Sequence, residues 1–126
     1  MRICVITGGR GHQPTPRELR ELHDVLEDHD IAVVRTGGAS GVDTAVHDHV
    51  RDIFDREVYP ATDYGKWPAC GPIRNRAMLK TGNVVLVVAF TGGDGTIDCM
   101  TQAKQRDIPV HVIACSVIES QKKAKK

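Results

Sequence analysis

Residues 84–96 read VVLVVAFTGGDGT, seven apolar residues running without a break into Thr91-Gly92-Gly93. So short and valine-rich a run suits a strand buried on both faces and marks the centre of a sheet. The glycines turn the chain, and GTIDCMTQAKQRDI continues at helical spacing until Pro109 ends it. The same device stands twice earlier in the chain. RICVIT leads into TGGRG from Thr7, and IAVVRT leads into TGGASG from Thr36.

Outward from these three units the chain alternates strand and helix. TPRELRELHDVLEDHD opens on a Thr-Pro start signal and carries Leu19, Leu22, Val25 and Leu26 at helical spacing. GVDTAVHDHVRDIF places Val42, Ala45, Val46, Val50 and Ile53 on one stripe of a second helix. REVYP reads as a shorter third strand and ATDYGKWPACGP as a long loop; IRNRAMLKTG reads as a helix ended by Gly82, and VHVIAC as the last strand. The alternation predicts a Rossmann-like α/β fold with three layers, α/β/α, and a mainly parallel five-stranded sheet in the order 3-2-1-4-5. The loops leaving the strands then share one rim, and the crevice opens where the strand order reverses, between the first and fourth strands.

Three glycine turns on that rim make an anion-binding cradle. Glycine lets a ligand approach the amides closely, and each following helix presents unpaired N–H groups and a positive dipole end. The sequence therefore predicts binding of a phosphate-bearing ligand. GxxxxGK[ST], HExxH, GxSxG and EF-hand patterns are absent, which argues against P-loop, zincin, hydrolase-elbow and calcium-loop chemistry. The dinucleotide fingerprint is incomplete: Pro14 follows Gly9 and Gly11 where a third glycine belongs, and Val34-Arg35-Thr36 lacks an acid for the ribose.

With 126 residues, 40% of them apolar and 26% charged, the chain reads as one domain over 1–116 with a polar, Lys-rich tail over 117–126. The formal net charge of +1 gives no global pull toward nucleic acid or anionic membrane. No apolar run has the length of a signal-peptide core or a membrane span, so the expected location is the cytoplasm. Cys4, Cys70, Cys99 and Cys115 are scattered without CxxC or a Cys/His cluster in sequence, and are read as reduced, packed thiols with no metal site.

Taken together, TGGRG, TGGASGVDTAV and WPACGPIRNRAML followed by AFTGGDGTIDCM resemble the SLOG superfamily, most closely its small YspA-like or YpsA-related branch. The resemblance spans about Arg2 to Ala114. It implies a Rossmann-like domain that binds a nucleotide or an ADP-ribose-like ligand, in bacterial or phage settings of nucleotide signalling or defence. It also implies a homodimer or larger homo-oligomer formed by helix packing near the rim. No required cofactor is expected. Related families are the LOG phosphoribohydrolases and DprA. The LOG motif PGGxGTxxE lies on TGGDGTIDC, so Thr91 stands for the proline and Cys99 falls on the catalytic glutamate; Arg76 keeps the arginine of MHxRK, and Ala77 replaces its lysine. Binding is therefore the first reading. N-glycosidic hydrolysis of a nucleoside monophosphate, with Asp98 as the catalytic acid, is the second.

The residues expected to bind ligand are Gly8, Gly9 and Arg10 of the first loop and Gly37, Gly38, Ser40, Gly41 and Asp43 of the second. Gly92, Gly93, Asp94, Gly95 and Thr96 of the third join them. Arg74 and Arg76, near a helix start after Gly71-Pro72, are the expected counter-charges for phosphate. Asp43 or Asp98 would accept from a ribose hydroxyl, and Asp94 and Asp98 would equally suit Mg2+. His12 is placed beside Arg10 as a phosphate contact, Trp67 as a base-stacking side chain, and Arg51 or Trp67 as reaching a neighbouring copy's pocket.

Overall fold

The computed structural model describes residues 1–115; the tail expected over 117–126 lies outside the described residues. In chain order the elements are β1 (Arg2–Thr7), α1 (Pro16–Asp28), β2 (Val33–Thr36), α2 (Val42–Val50), β3 (Asp55–Val58), a 3-10 turn (Ala61–Tyr64), α3 (Cys70–Lys80), β4 (Asn83–Phe90), α4 (Asp94–Gln105) and β5 (Val110–Ile113). All five strands are parallel and lie in the order β3-β2-β1-β4-β5, as the alternation predicts.

Side chains alternate across the sheet and divide the core in two. Cys4 and Ile6 of β1 with Leu86, Val88 and Phe90 of β4 meet Leu22 and Leu26 of α1 and Val42, Val46 and Val50 of α2. On the opposite face Val5 and Val87 meet Met78 and Leu79 of α3 and Cys99 and Ala103 of α4. β4 turns from half-exposed to fully buried toward its C-terminal end, which fits its place between β1 and β5. All four cysteines are free and buried.

α1 begins as its sequence requires: Pro16 occupies the first turn, and the Glu18 amide donates to Thr15 Oγ1 at 3.2 Å. Three of the boundaries that differ from the expectation bear on packing. β2 starts at Val33 rather than Ile31. α2 stops at Val50, so Ile53 leaves the apolar stripe and is 56% exposed. α3 starts at Cys70 inside the predicted loop; Pro72 sits in its first turn, where a missing N–H removes no helical hydrogen bond. Gly82, at φ +78, turns the chain after α3 into β4.

Arg35 is the largest fully buried side chain among the described residues. Its Nη1 donates to the carbonyls of Met78 and Thr81 at the end of α3, its Nε donates to Glu57, and its guanidinium lies 4.7 Å over the Tyr59 ring. Arg35 therefore ties β2 to the C-terminal end of α3, where a cation is favoured by the helix dipole. It is not available at the rim.

Candidate functional site

A cavity of about 530 Å3 opens at the C-terminal ends of β1 and β4, the reversal point of the strand order. Thr7, Gly8, Gly9 and Arg10 form one wall and Gly93, Asp94, Gly95, Thr96 and Asp98 the facing one; Ala39, Asp43, Trp67, Pro68, Gly71, Pro72 and Arg74 complete it. The walls are joined beneath by Thr7 Oγ1 and Thr96 Oγ1, 3.4 Å apart, both buried.

The third loop leaves donors unused. The amides of Thr96 and Ile97 bond to Gly93 O, whereas those of Asp94 and Gly95 have no acceptor among the described residues, and no side chain caps α4. Gly93 and Gly95 have open space where a Cβ would stand. This is a helix N-terminus of the kind that binds anions.

The second loop is bonded in part within the protein, while the amides of Ser40 and Gly41, which do not line the cavity, have no acceptor among the described residues. Gly38 N donates to Thr36 Oγ1, Ala39 N to Asp43 Oδ2, Val42 N to Gly9 O, and Ser40 Oγ to Arg10 O. Gly41, at φ +76, lies against the carbonyls of Gly9 and Arg10, and a Cβ on Gly37 would overlap the Arg74 guanidinium. Of the expected ligand residues, Gly37, Gly38, Ser40, Gly41, Gly92 and Arg76 do not line the cavity. Gly92 instead passes against the backbone of Gly9, and Arg76 is exposed on α3. The other expected ligand residues and Asp98 all line it.

Asp43 carries the strongest electrostatic signal there. It is 5% exposed, Oδ2 accepts from Ala39 N at 3.1 Å, and Oδ1 has no hydrogen bond among the described residues. Burial pushes its carboxyl up to about 6, against the pull of the Ala39 amide and of Arg74. Arg74 donates Nη1 to the carbonyls of Gly37 and Tyr59 and Nε to Asn75 Oδ1, and Nη2 has no hydrogen bond among the described residues. Arg10 lies 4.8 Å over the ring of Trp67, which is 67% exposed at the mouth. Asp98 is held by two amides, Asn75 Nδ2 and Gln102 Nε2, each 2.9 Å from Oδ2. Cys99, on the position of the LOG glutamate, is fully buried off the cavity, with its thiol pushed up to about 12 by burial.

Two groupings escape the linear reading. Asn75 is buried between α3 and α4, where it also donates to Gly95 O and so fixes both the third loop and Asp98. Its place on the inner face of α3, between two arginines, was the available signal. His12 does not join Arg10 at the cavity. It is buried against α1 with Nε2 2.6 Å from Glu18 Oε1, and Cys115 lies beside the pair. No spacing rule links residues 12, 18 and 115; only the fold brings them together.

Comparison with family models, with curated proteins and with solved structures gives no match. Among the described residues no helix is long and apolar enough to cross a membrane.

Proposed function

We propose that the cavity binds a nucleotide or nucleotide-derived sugar phosphate, with the phosphate on the amides of Asp94 and Gly95. The single observation that carries this reading is the uncapped N-terminus of α4, open to a cavity that also contains Arg10. The cavity's charges refine it. Three carboxylates, Asp43, Asp94 and Asp98, face two guanidiniums, Arg10 and Arg74, one of which is largely committed to carbonyls. A bare polyphosphate would meet net repulsion; a ligand that offers hydroxyl donors beside one or two phosphates would not. The exposed Trp67 ring at the mouth adds a surface for a base. The resemblance to the SLOG superfamily points the same way, including its signalling or defence settings and a homodimer.

Calorimetry of the folded protein with AMP and with ADP-ribose tests the reading. Saturable binding is expected, weakened at least tenfold by Arg10→Gln and little changed by Arg76→Ala. Heat of dilution alone with both ligands rejects it.

A second reading rests on Asp98, whose carboxylate is oriented into the cavity wall by Asn75 and Gln102. An acid so held suits stabilisation of an oxocarbenium-like centre during N-glycosidic hydrolysis. Free base released from AMP, and lost in Asp98→Asn, is its expected signature. Intact nucleotide after prolonged incubation with wild-type protein excludes it.

A further inference from the structure

His12, Glu18 and Cys115 come from the β1–α1 loop, the first turn of α1 and the residues just after β5. A ring nitrogen, a carboxylate oxygen and the Cys115 sulfur all lie within 4.8 Å of one another, and all three residues are buried. The exposure of His12 and Glu18 side chains is 6% and 5%. His12 Nε2 and Glu18 Oε1 lie 2.6 Å apart and share a proton, and a metal ion held by these two atoms and the Cys115 sulfur would take that proton's place, leaving the neutral ring's proton on Nδ1.

We propose that His12, Glu18 and Cys115 form a site for a divalent transition metal of the zinc class. The donor set decides the class. Imidazole nitrogen, carboxylate oxygen and thiolate sulfur together suit borderline-soft Zn2+ and its spectroscopic substitute Co2+, whereas Mg2+ and Ca2+ take oxygen donors only. Three protein donors are the number used by zinc sites that keep a fourth position for a small ligand. Binding requires loss of the Cys115 thiol proton, which the sulfur now directs at Thr91 O, 3.1 Å away. Binding therefore releases a proton, and metal affinity increases with pH. The site lies away from the sugar-phosphate cavity but shares its first loop. Gly8, Gly9 and Arg10 line the cavity, and His12 anchors the same loop in the cluster. The proposal does not depend on the nucleotide reading.

Titration of the chelator-stripped protein with Co2+ alone tests it by absorption. One equivalent is expected to produce tetrahedral d–d bands together with a sulfur-to-cobalt charge-transfer band, both removed by added Zn2+. Cys115→Ser, with its fold checked by circular dichroism, is expected to lose the charge-transfer band and at least tenfold in affinity. Glu18→Gln is a second variant with the same expected affinity loss. Absence of a thiolate band from the wild-type protein at one equivalent overturns the proposal. So does a band that survives in Cys115→Ser, because the ligand would then be Cys4, Cys70 or Cys99.

Discussion

The second and third glycine loops begin with the same Thr-Gly-Gly and end at the same rim, yet they do different work. TGGASG folds onto its neighbour: its amides and hydroxyl bond to Thr36, Asp43, Gly9 and Arg10, and Gly41 lets the backbones touch. TGGDGT stops short of self-satisfaction and leaves the amides of Asp94 and Gly95 facing a cavity. A glycine turn thus becomes a ligand cradle only where its free donors open onto a cavity. In the second loop Asp43 takes one, and by occupying that place it becomes the buried acid of the cavity.

Substitution of matched glycines should break the comparison most visibly. Gly41→Ala adds a methyl against two backbone carbonyls at a φ of +76, and a loss of about 3–4 kcal/mol is expected in urea unfolding. The converse substitution, Gly95→Ala, meets open space inside a helix, and its stability should rise or fall by no more than about 1 kcal/mol. Its methyl would enter the cavity, so calorimetric affinity for AMP should nevertheless drop at least tenfold. Equal destabilisation by the two changes would erase the distinction between the loops.

The next largest effect is on Asp43 and has a defined sign. Its carboxyl is raised in the folded protein from 3.8 to about 6, so the folded state holds a proton that the unfolded state has released across that interval. Stability should therefore fall as pH rises from about 4 to about 6, by up to about 3 kcal/mol, and then level off. Asp43→Asn can still accept from the Ala39 amide but carries no titrating charge. Its unfolding free energy should lack the slope and exceed that of wild type at pH 7 by about 2 kcal/mol. A wild-type profile that is flat between pH 4 and 6 contradicts the burial of the charged form.

The smallest expected change is at the mouth. Trp67 is the only tryptophan and is mostly exposed, so Trp67→Ala should alter stability by no more than about 0.5 kcal/mol. Its fluorescence should still report the site. AMP binding is expected to shift Trp67 emission in wild type by disturbing the Arg10 contact, and Arg10→Gln should reduce that response. An emission spectrum unmoved by a ligand that calorimetry shows to bind would remove the ring from the site.

Much of this molecule could be read in one dimension because its causes are local. The apolar run before Thr91, the Thr15-Pro16 start of α1 and the alternation of elements dictate a parallel sheet, since parallel strands need crossovers and crossovers are right-handed. The strand order then puts the first and third glycine loops across the reversal point, and Gly8, Gly9, Arg10, Gly93, Asp94, Gly95 and Thr96 meet there as the sequence anticipates.

What the tertiary structure alone decided is where each donor and charge goes once the elements are packed. Arg74 and Arg76 are two residues apart, but a helix turns about 100° per residue, so one enters the cavity and the other faces outward. Arg35 shows in sequence only that the second strand ends without an acid, and it is the end of α3 that accepts its hydrogen bonds. His12 reads as a neighbour of Arg10 until α1 and the residues after β5 enclose it with Glu18 and Cys115. Sequence order specifies covalent neighbours and helical or strand periodicity. A buried polar group is satisfied by whatever lies within about 3 Å of it, and that is set by packing across the whole chain.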